Sequence, residues 1–387
     1  MILRGNNGNM KSICMITTNH SPFDNRIFYK EAFSLNKAGY SVTIIGQTDI
    51  PCATLKEDIK IIGINKNKVN VINDLILMGK LLHASLKIEC DIYHCHEPNS
   101  FIVALFHKLF RRKTIVYDVH EYYEDLFKTT SSQMRVFLGI ILWIIEPIFC
   151  RFCDAIITVD EGTSKRYTRF NKNVIVISNF PPKTIKKDSS IKKREISKTY
   201  DFSVIYVGGM NYERGIISLI EAIKIVISSL PSVKLILVGH FESKAFRDRC
   251  ADFIKSNDME NNVLIIGHVL HTEALDYISN ADVGTVLLHP TKRYSKTPYP
   301  VKLFEYMMCG KPVIASNLPA MGKIIQESKC GLLVDPKNIE EIAEAILYLH
   351  NNKTIALKLG LNGKKAVNEK YNWDLMEKKL LDVYKHI

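Results

Sequence analysis

The chain has 387 residues, 47 % of them hydrophobic and 24 % charged, an ordinary globular balance that allows a substantial core and, at this length, two domains. Its net charge of +12 favours anionic partners (phosphates, lipid headgroups or nucleic acid) without choosing among them. Nine cysteines, an odd number without regular spacing, exclude a disulfide framework and fit reduced thiols in a cytoplasmic protein.

Met1 to Asn9 is polar and lacks a secretory pattern, and a strand is expected to begin just after Met10. Strands are expected at Ser12–Thr18, Ser41–Gly46, Ile59–Ile64, Asp91–His96, Thr114–His120, Ala155–Asp160 and Val174–Asn179. Helical patterns lie between them at Arg26–Ala38, Val69–Ile88, Asn99–Phe110 and Gly162–Phe170. Several strands are almost continuously apolar, as parallel strands covered on both faces are. A doubly wound α/β domain is therefore expected over residues 1–182.

Residues 183–200 are rich in Lys and Ser and poor in apolar side chains, as in an exposed linker. A second α/β series follows over 201–370, with strands at Ser203–Gly209, Val233–Gly239, Val263–Gly267, Val283–Leu288, Pro312–Ser316 and Gly331–Val334. Helices are expected at Gly215–Ser229, Ser243–Ser256, Thr272–Ser279, Val301–Cys309, Ala320–Ser328, Ile339–His350 and Thr354–Glu369, and a last helix in 371–387 has no strand after it.

In open parallel sheets, ligands gather at loops leaving the carboxyl ends of strands. Tyr206-Val207-Gly208-Gly209-Met210, followed by Arg214-Gly215 and a helix, suits a phosphate: glycine lets it approach the backbone and Arg214 can grip a diphosphate, a plain tight turn being the alternative. At Pro298-Tyr299-Pro300-Val301-Lys302-Leu303-Phe304-Glu305-Tyr306-Met307 a helix opens with N–H groups suited to an anion. Glu305, set in an otherwise apolar helix, is expensive to bury unless a ligand or Lys302 meets it.

Tyr117-Asp118-Val119-His120-Glu121 ends an apolar strand, and His120 can move a proton near neutral pH with Asp118 or Glu121 fixing its tautomer. His20 to Arg26 and His94 to Asn99 also join strands to helices, where ligand contact and capping by Asp24 or Asn99 both remain open. Cys150 and Cys153 lack a second ligand pair, and His94, Cys95 and His96 alternate along a strand, so no metal is expected.

Asn19-His20-Ser21-Pro22-Phe23-Asp24-Asn25-Arg26-Ile27-Phe28-Tyr29-Lys30-Glu31-Ala32, Asp118-Val119-His120-Glu121, Lys302-Leu303-Phe304-Glu305-Tyr306-Met307 and Gly310-Lys311-Pro312-Val313-Ile314, in this order, resemble the retaining nucleotide-sugar glycosyltransferases of family 4 over nearly the whole chain. The resemblance implies the GT-B fold: two Rossmann-like doubly wound domains facing across a cleft, with a C-terminal helix, starting at Tyr371-Asn372-Trp373, that crosses back to the N-terminal domain. It implies a nucleotide diphosphate sugar bound in the C-terminal domain by Gly208, Gly209, Arg214, His240, Val301, Lys302, Leu303 and Glu305. A glycan or lipid-linked glycan acceptor would meet Asp24, Arg26, His96, Glu97, Asp118 and Glu121 of the N-terminal domain. Glu305 would bind the ribose, Arg214 the diphosphate and His120 the transferred sugar, so His120 and Glu305 stand as the catalytic residues.

Same-face attack by the acceptor, the usual account of retention in this family, implies no protein nucleophile. Departure of the diphosphate builds negative charge that Arg214, Lys302 and helix N-termini can stabilise, and the sequence has no Asp-x-Asp triplet, so no metal or cofactor beyond the nucleotide sugar is expected. Three positions depart from the family pattern. Thr297 replaces a second glutamate, Gly209 stands where arginine is common, and Asp24-Asn25-Arg26 replaces a double glycine; a branch with a Lys-Leu-Phe-Glu-Tyr helix shares such changes.

Two other classes stay open: a sugar-nucleotide epimerase of similar fold and a non-catalytic nucleotide-sugar-binding protein. Nucleic acid is not an expected partner, because the Lys-rich linker lacks interleaved aromatics. The longest apolar run, Val136–Ile145, is far below the roughly 20 residues that cross a bilayer. With Lys128, Arg135 and Arg151 around it, the segment Gln133–Phe152 either lies in a membrane interface, at the inner face, or is buried between lobes. The family's usual work implies cell-surface polysaccharide or lipid-linked glycan synthesis.

Overall fold

The apolar runs form parallel ladders, because strands covered by helices on both faces must pair with one another to satisfy their backbone groups. A computed structural model describes residues 11–49, 52–65, 71–120, 133–183, 200–291 and 300–387. Glu121, Thr297 and nearly all of the expected linker lie outside the described residues. The chain divides into two units, Met1–Asn179 with Trp373–Ile387, and Phe180–Asn372. The first boundary thus falls just before the Pro-Pro pair rather than after it.

In the first unit, β1 (Ser12–Ile16) leads to a π-helical turn (Ile27–Ala32) and α1 (Phe33–Lys37). Then come β2 (Ser41–Thr48), β3 (Cys52–Lys56), β4 (Ile59–Asn65), α2 (Val71–Leu86), β5 (Ile92–Cys95), α3 (Pro98–Arg111) and β6 (Thr114–Val119). After these lie α4 (Gln133–Phe149), a 3₁₀ turn (Cys150–Phe152), β7 (Ala155–Thr158), α5 (Glu161–Tyr167) and β8 (Val174–Val176). Among the described residues the sheet order is β3-β4-β2-β1-β5-β6-β7-β8, parallel except for β3 against β4. The strand order reverses between β1 and β5, so the loops after these two strands flank a topological switch point.

β3 was not expected from the sequence. It is an exposed edge strand without apolar alternation, laddered to β4, with Lys56 at its end over the rings of Phe23, Phe28 and Tyr29. The helix expected at Arg26–Ala38 opens as a π turn, with Glu31 N–H bonded to the Arg26 carbonyl at 2.9 Å. That wider turn sets the Arg26 and Glu31 side chains together, Nε to Oε1 at 2.8 Å.

The second unit comprises β9 (Phe202–Val207), a 3₁₀ turn (Tyr212–Arg214), α6 (Ile216–Ser229), β10 (Val233–Val238), α7 (Lys244–Ser256), β11 (Val263–Gly267), α8 (His271–Asn280) and β12 (Val283–Val286). It continues with α9 (Val301–Met308), β13 (Val313–Ser316), α10 (Pro319–Ser328), β14 (Gly331–Val334), α11 (Ile339–Asn351) and α12 (Lys353–Glu369). Its sheet is parallel, in the order β11-β10-β9-β12-β13-β14, and reverses between β9 and β12. One apolar core joins β9, β10, α6 and α11, with Ile216, Ile220, Leu235 and Ile346 fully covered.

The last helix, α13 (Trp373–His386), packs on the first unit. Trp373 Nε1 donates to Ser34 Oγ at 3.0 Å, Tyr384 Oη lies 2.7 Å from His94 Nδ1, and Lys11 Nζ donates to the Ile387 carbonyl at 2.7 Å. Trp373→Ala removes a buried indole and its hydrogen bond, and is expected to destabilise the first unit by about 3 kcal/mol in urea unfolding. A change below about 0.5 kcal/mol would mean that the helix is not part of that unit's core.

Candidate active site

In the first unit, the π-helical turn after β1 and the carboxyl ends of β5 and β6 bring together a buried ionic cluster. Arg26 places Nε 2.9 Å from Asp118 Oδ2 and a terminal nitrogen 3.0 Å from Oδ1, and it also donates to the Ile177 carbonyl at 2.8 Å. The same Nε faces Glu31. One guanidinium thus serves two carboxylates. Burial pushes Asp118 upward, but Arg26 and the neighbouring histidines outweigh it and hold the carboxyl well below its usual range. Burial pushes Glu31 well up, Arg26 does not offset it, and the neutral acid can donate to Asp118. The cluster therefore keeps Asp118 as the anion and Glu31 as the proton carrier.

His120 sits on this base. Its Nε2 lies 2.8 Å from Asp118 Oδ2 and 3.0 Å from His96 Nδ1, so the Nε2–H faces the carboxylate and Nδ1 is the nitrogen left for other work. The His20 ring lies 5.1 Å from the His120 ring and is the more exposed of the two. His94 and His96 occupy the same face of β5, with ring centroids 4.4 Å apart, whereas only Cys95 points to the other side. The alternation argument against a shared ion thus holds for Cys95 alone: Glu31, His94, His96 and Asp118 present ligand atoms within 4.8 Å of one another. Burial lowers the pKa of both histidines, keeping them neutral.

Four of the residues expected to touch an acceptor lie beneath the surface. Arg26, His96, Glu97 and Asp118 are all at most 2 % exposed, so these side chains are turned into the fold rather than toward a sugar on its surface. Glu97 is instead a clamp for the loop after β1: it accepts from Thr17 Oγ1 at 2.7 Å and from the Thr18 N–H at 2.8 Å, and it caps α3, the position expected of Asn99. Asp24 caps its own turn, accepting from the Arg26 N–H at 2.8 Å.

In the second unit, the glycine loop after β9 faces the start of α9. Gly208 (φ 124°) and Gly239 (φ 137°) lie back to back, and a Cβ on Gly239 would collide with the Gly208 carbonyl. The Gly209 carbonyl accepts from Tyr206 Oη at 2.6 Å and from Arg214 at 3.1 Å, which fixes the loop. His240 stands beside Gly209, and a Cβ there would be 3.6 Å from the imidazole.

Lys302 lies between these pieces. Its Nζ is 3.6 Å from the Tyr206 ring centroid, and a Cβ on Gly208 would come within 3.1 Å of it. Nζ is buried and has no hydrogen-bond partner among the described residues. Burial and then the Arg214 charge hold its pKa well below the usual lysine value. Pro300 is the N-cap rather than the first helical residue, and Val301 opens the helix, where N–H groups lack intrahelical partners.

Leu303 does not belong with the ligand-facing residues. Its side chain is fully buried and its N–H is bonded to the Pro300 carbonyl at 3.1 Å. Glu305, 7 % exposed, is paired with neither solvent nor Lys302 but with His271 Nε2 at 2.6 Å. His271 was missed. It opens α8 after β11, a strand–loop–helix junction of the same kind as those singled out elsewhere.

The model for "Glycosyl transferases group 1" matches residues 187–366, and that for "Glycosyltransferase Family 4" matches residues 25–180. The chain belongs to this glycosyltransferase family. Poly(ribitol-phosphate) alpha-N-acetylglucosaminyltransferase of Staphylococcus aureus (strain COL) is 24 % identical over 377 residues, covering 93 % of this chain and 70 % of that protein. Capsular polysaccharide biosynthesis glycosyltransferase CapM of Staphylococcus aureus is 26 % identical over 186 residues, 48 % of this chain and 46 % of CapM. The chain thus spans about half the length of curated relatives such as CapM. Among solved structures, HepE of Anabaena, in complex with UDP and glucose, superposes with a TM-score of 0.74 at 16 % identity, covering 98 % of this chain and 100 % of HepE. The two parallel-sheet units are those of the GT-B fold shared by the family.

Because Asp118 is held low, its contribution to stability is present at neutral pH and lost as pH falls below about 4. Glu31, held high, acts oppositely: its neutral form stabilises at acid pH and weakens the fold as pH rises through its folded pKa. Asp118→Asn should therefore flatten the acid limb of the stability profile, and Arg26→Met should destabilise by about 3 kcal/mol or more at pH 7 by stranding the carboxylate. Wild-type acid sensitivity in Asp118→Asn would count against this distribution of charge.

Proposed function

We propose that the chain is a retaining glycosyltransferase that moves a sugar from a nucleoside diphosphate sugar, bound in the second unit, to a hydroxyl of a glycan or lipid-linked glycan acceptor. The observation that carries this reading is the Lys302 Nζ, buried beside Gly208 and Arg214 with no hydrogen-bond partner among the described residues. A buried cation is costly without a compensating anion, and a diphosphate laid along the glycine loop supplies one. HepE, of the same fold, was solved with UDP and with UDP-glucose, which supports this class of donor.

In the transfer step the bond from the sugar's anomeric carbon to the diphosphate breaks, the electron pair leaving with the phosphate oxygen. The acceptor oxygen bonds to the anomeric carbon on the same face, and its proton passes to a donor phosphate oxygen. Lys302 and Arg214 stabilise the charge that builds on the leaving group. Glu305 takes the ribose hydroxyls, which requires His271 to yield or share the carboxylate. His120, its Nε2 held by Asp118, serves the transferred sugar through Nδ1.

No metal is assigned to the reaction. The four ligand-type groups of the first unit enclose Arg26, whose guanidinium already occupies the place of a cation between the two carboxylates. The relatives named for poly(ribitol-phosphate) and capsular polysaccharide favour a cell-envelope glycan as the acceptor class.

Incubation with a panel of nucleotide sugars, with and without lipid-linked acceptors, followed by detection of released nucleoside diphosphate, tests the reaction class. Release that depends on acceptor is expected. Formation of an altered nucleotide sugar without acceptor would indicate an epimerase, and donor binding without turnover a binding protein. Glu305→Ala and Lys302→Met should each weaken nucleoside diphosphate binding about tenfold or more, whereas His120→Ala should lower kcat with little change in donor affinity.

A further inference from the structure

The helix α4 carries apolar side chains around much of its circumference, yet among the described residues the contacts that hold it lie on one face. Its inner side is pinned by Glu146, which accepts from Tyr117 Oη at 2.6 Å, from Tyr167 Oη at 3.0 Å and from Arg166 at 3.2 Å. Arg166 also covers the Trp143 ring, 4.4 Å from its centroid. The helix cannot roll to hide its other side without breaking this set. That outer side carries Phe137, Ile140, Ile141, Ile144 and Ile148, spaced as one helical stripe and 38–61 % exposed. Isolated exposed hydrophobes are ordinary, but a contiguous stripe of large ones marks an interaction surface.

The stripe runs on into Phe152 in the 3₁₀ turn, and the end of α3 joins it there. Lys108 Nζ pairs with Asp154 at 2.7 Å, which ties that end to the residues just after the turn, and the neighbouring Leu109 and Phe110 are 62 % and 72 % exposed. Basic groups rim the apolar ground. Arg111, Arg112 and Arg151 are exposed, as are Lys165 and Arg169 at and just beyond the end of α5, while Glu161 is the exposed acid described on these elements. Apolar side chains framed by guanidinium and ammonium groups complement acyl chains beneath anionic headgroups. A second copy of this chain would bring the same positive rims together. The helix has 17 residues and no helix of the described residues is long and apolar enough to cross a membrane, so the geometry is that of a surface contact.

We propose that the outer face of α4, continued by Phe152 and the Leu109–Arg112 end of α3, docks the protein on an anionic lipid surface. The reading is independent of the donor assignment. Flotation of the full chain with vesicles tests it directly. Vesicles of equimolar phosphatidylcholine and phosphatidylglycerol should carry the protein, phosphatidylcholine alone about tenfold less, and added salt should reduce the difference. The pair Ile144→Glu and Ile148→Glu should lower binding about tenfold or more, and brominated acyl chains should quench Trp143 in the wild type. Should the double variant fail to fold, Arg151→Glu with Arg169→Glu, both at exposed positions, should lower binding to mixed vesicles and flatten its salt dependence. Absence of flotation with mixed vesicles overturns the proposal. So does unchanged binding of both variant pairs, or a dimer in sedimentation velocity that Ile144→Glu dissolves while no vesicle is bound.

Discussion

Two buried basic side chains organise this protein, and they differ in where their counter-charge comes from. Arg26 has its anion in the chain itself, with Asp118 bidentate and Glu31 beside it. Lys302 has the face of Tyr206 and the more distant charge of Glu305, but among the described residues no hydrogen-bond partner. A charge enclosed in the interior must be neutralised by a partner, by deprotonation or by a ligand. The Arg26 guanidinium is thus matched within the chain, whereas Lys302 Nζ has no hydrogen-bond partner among the described residues and is placed to meet a ligand.

This difference explains how each unit uses its topological switch point. In the first unit, Glu97 clamps the loop after β1 and Arg26 ties Asp118 at the end of β6 to the Ile177 carbonyl after β8, which gives His120 a fixed orientation on a rigid base. Tyr384 of α13 reaches the same cluster through His94, so the final helix supports the ionic core as well as the apolar one. In the second unit, Tyr206 and Arg214 hold the Gly209 carbonyl, which keeps the neighbouring glycine backbone in place beside Lys302. Rigid supports of this kind let a few polar groups act with defined geometry.

Much of this was legible in the sequence, and what was not has physical causes. Continuous apolar runs such as Ser203–Gly209 became strands within a residue or two of their expected ends, since burial on both faces leaves a strong pattern. β3 left none, because its side chains face solvent. The Gly208, Gly209, Arg214, His240 and Lys302 group does assemble, because glycines and a helix start follow one strand order. Arg26, His96, Glu97 and Asp118 were placed near the right loops but on the wrong side of the surface: proximity to a strand end is visible in sequence, whereas burial of a charge depends on partners far along the chain. The Glu305–His271 pair, 34 positions apart, was hidden for the same reason.

Calorimetry of nucleoside diphosphate binding in buffers of different ionisation enthalpy tests the central claim most directly. Burial lowers the Lys302 pKa and an entering diphosphate raises it again, so the account predicts proton uptake on binding and an affinity that falls as pH rises, both lost in Lys302→Met. Binding with no proton exchange and with equal affinity in wild type and Lys302→Met would contradict it.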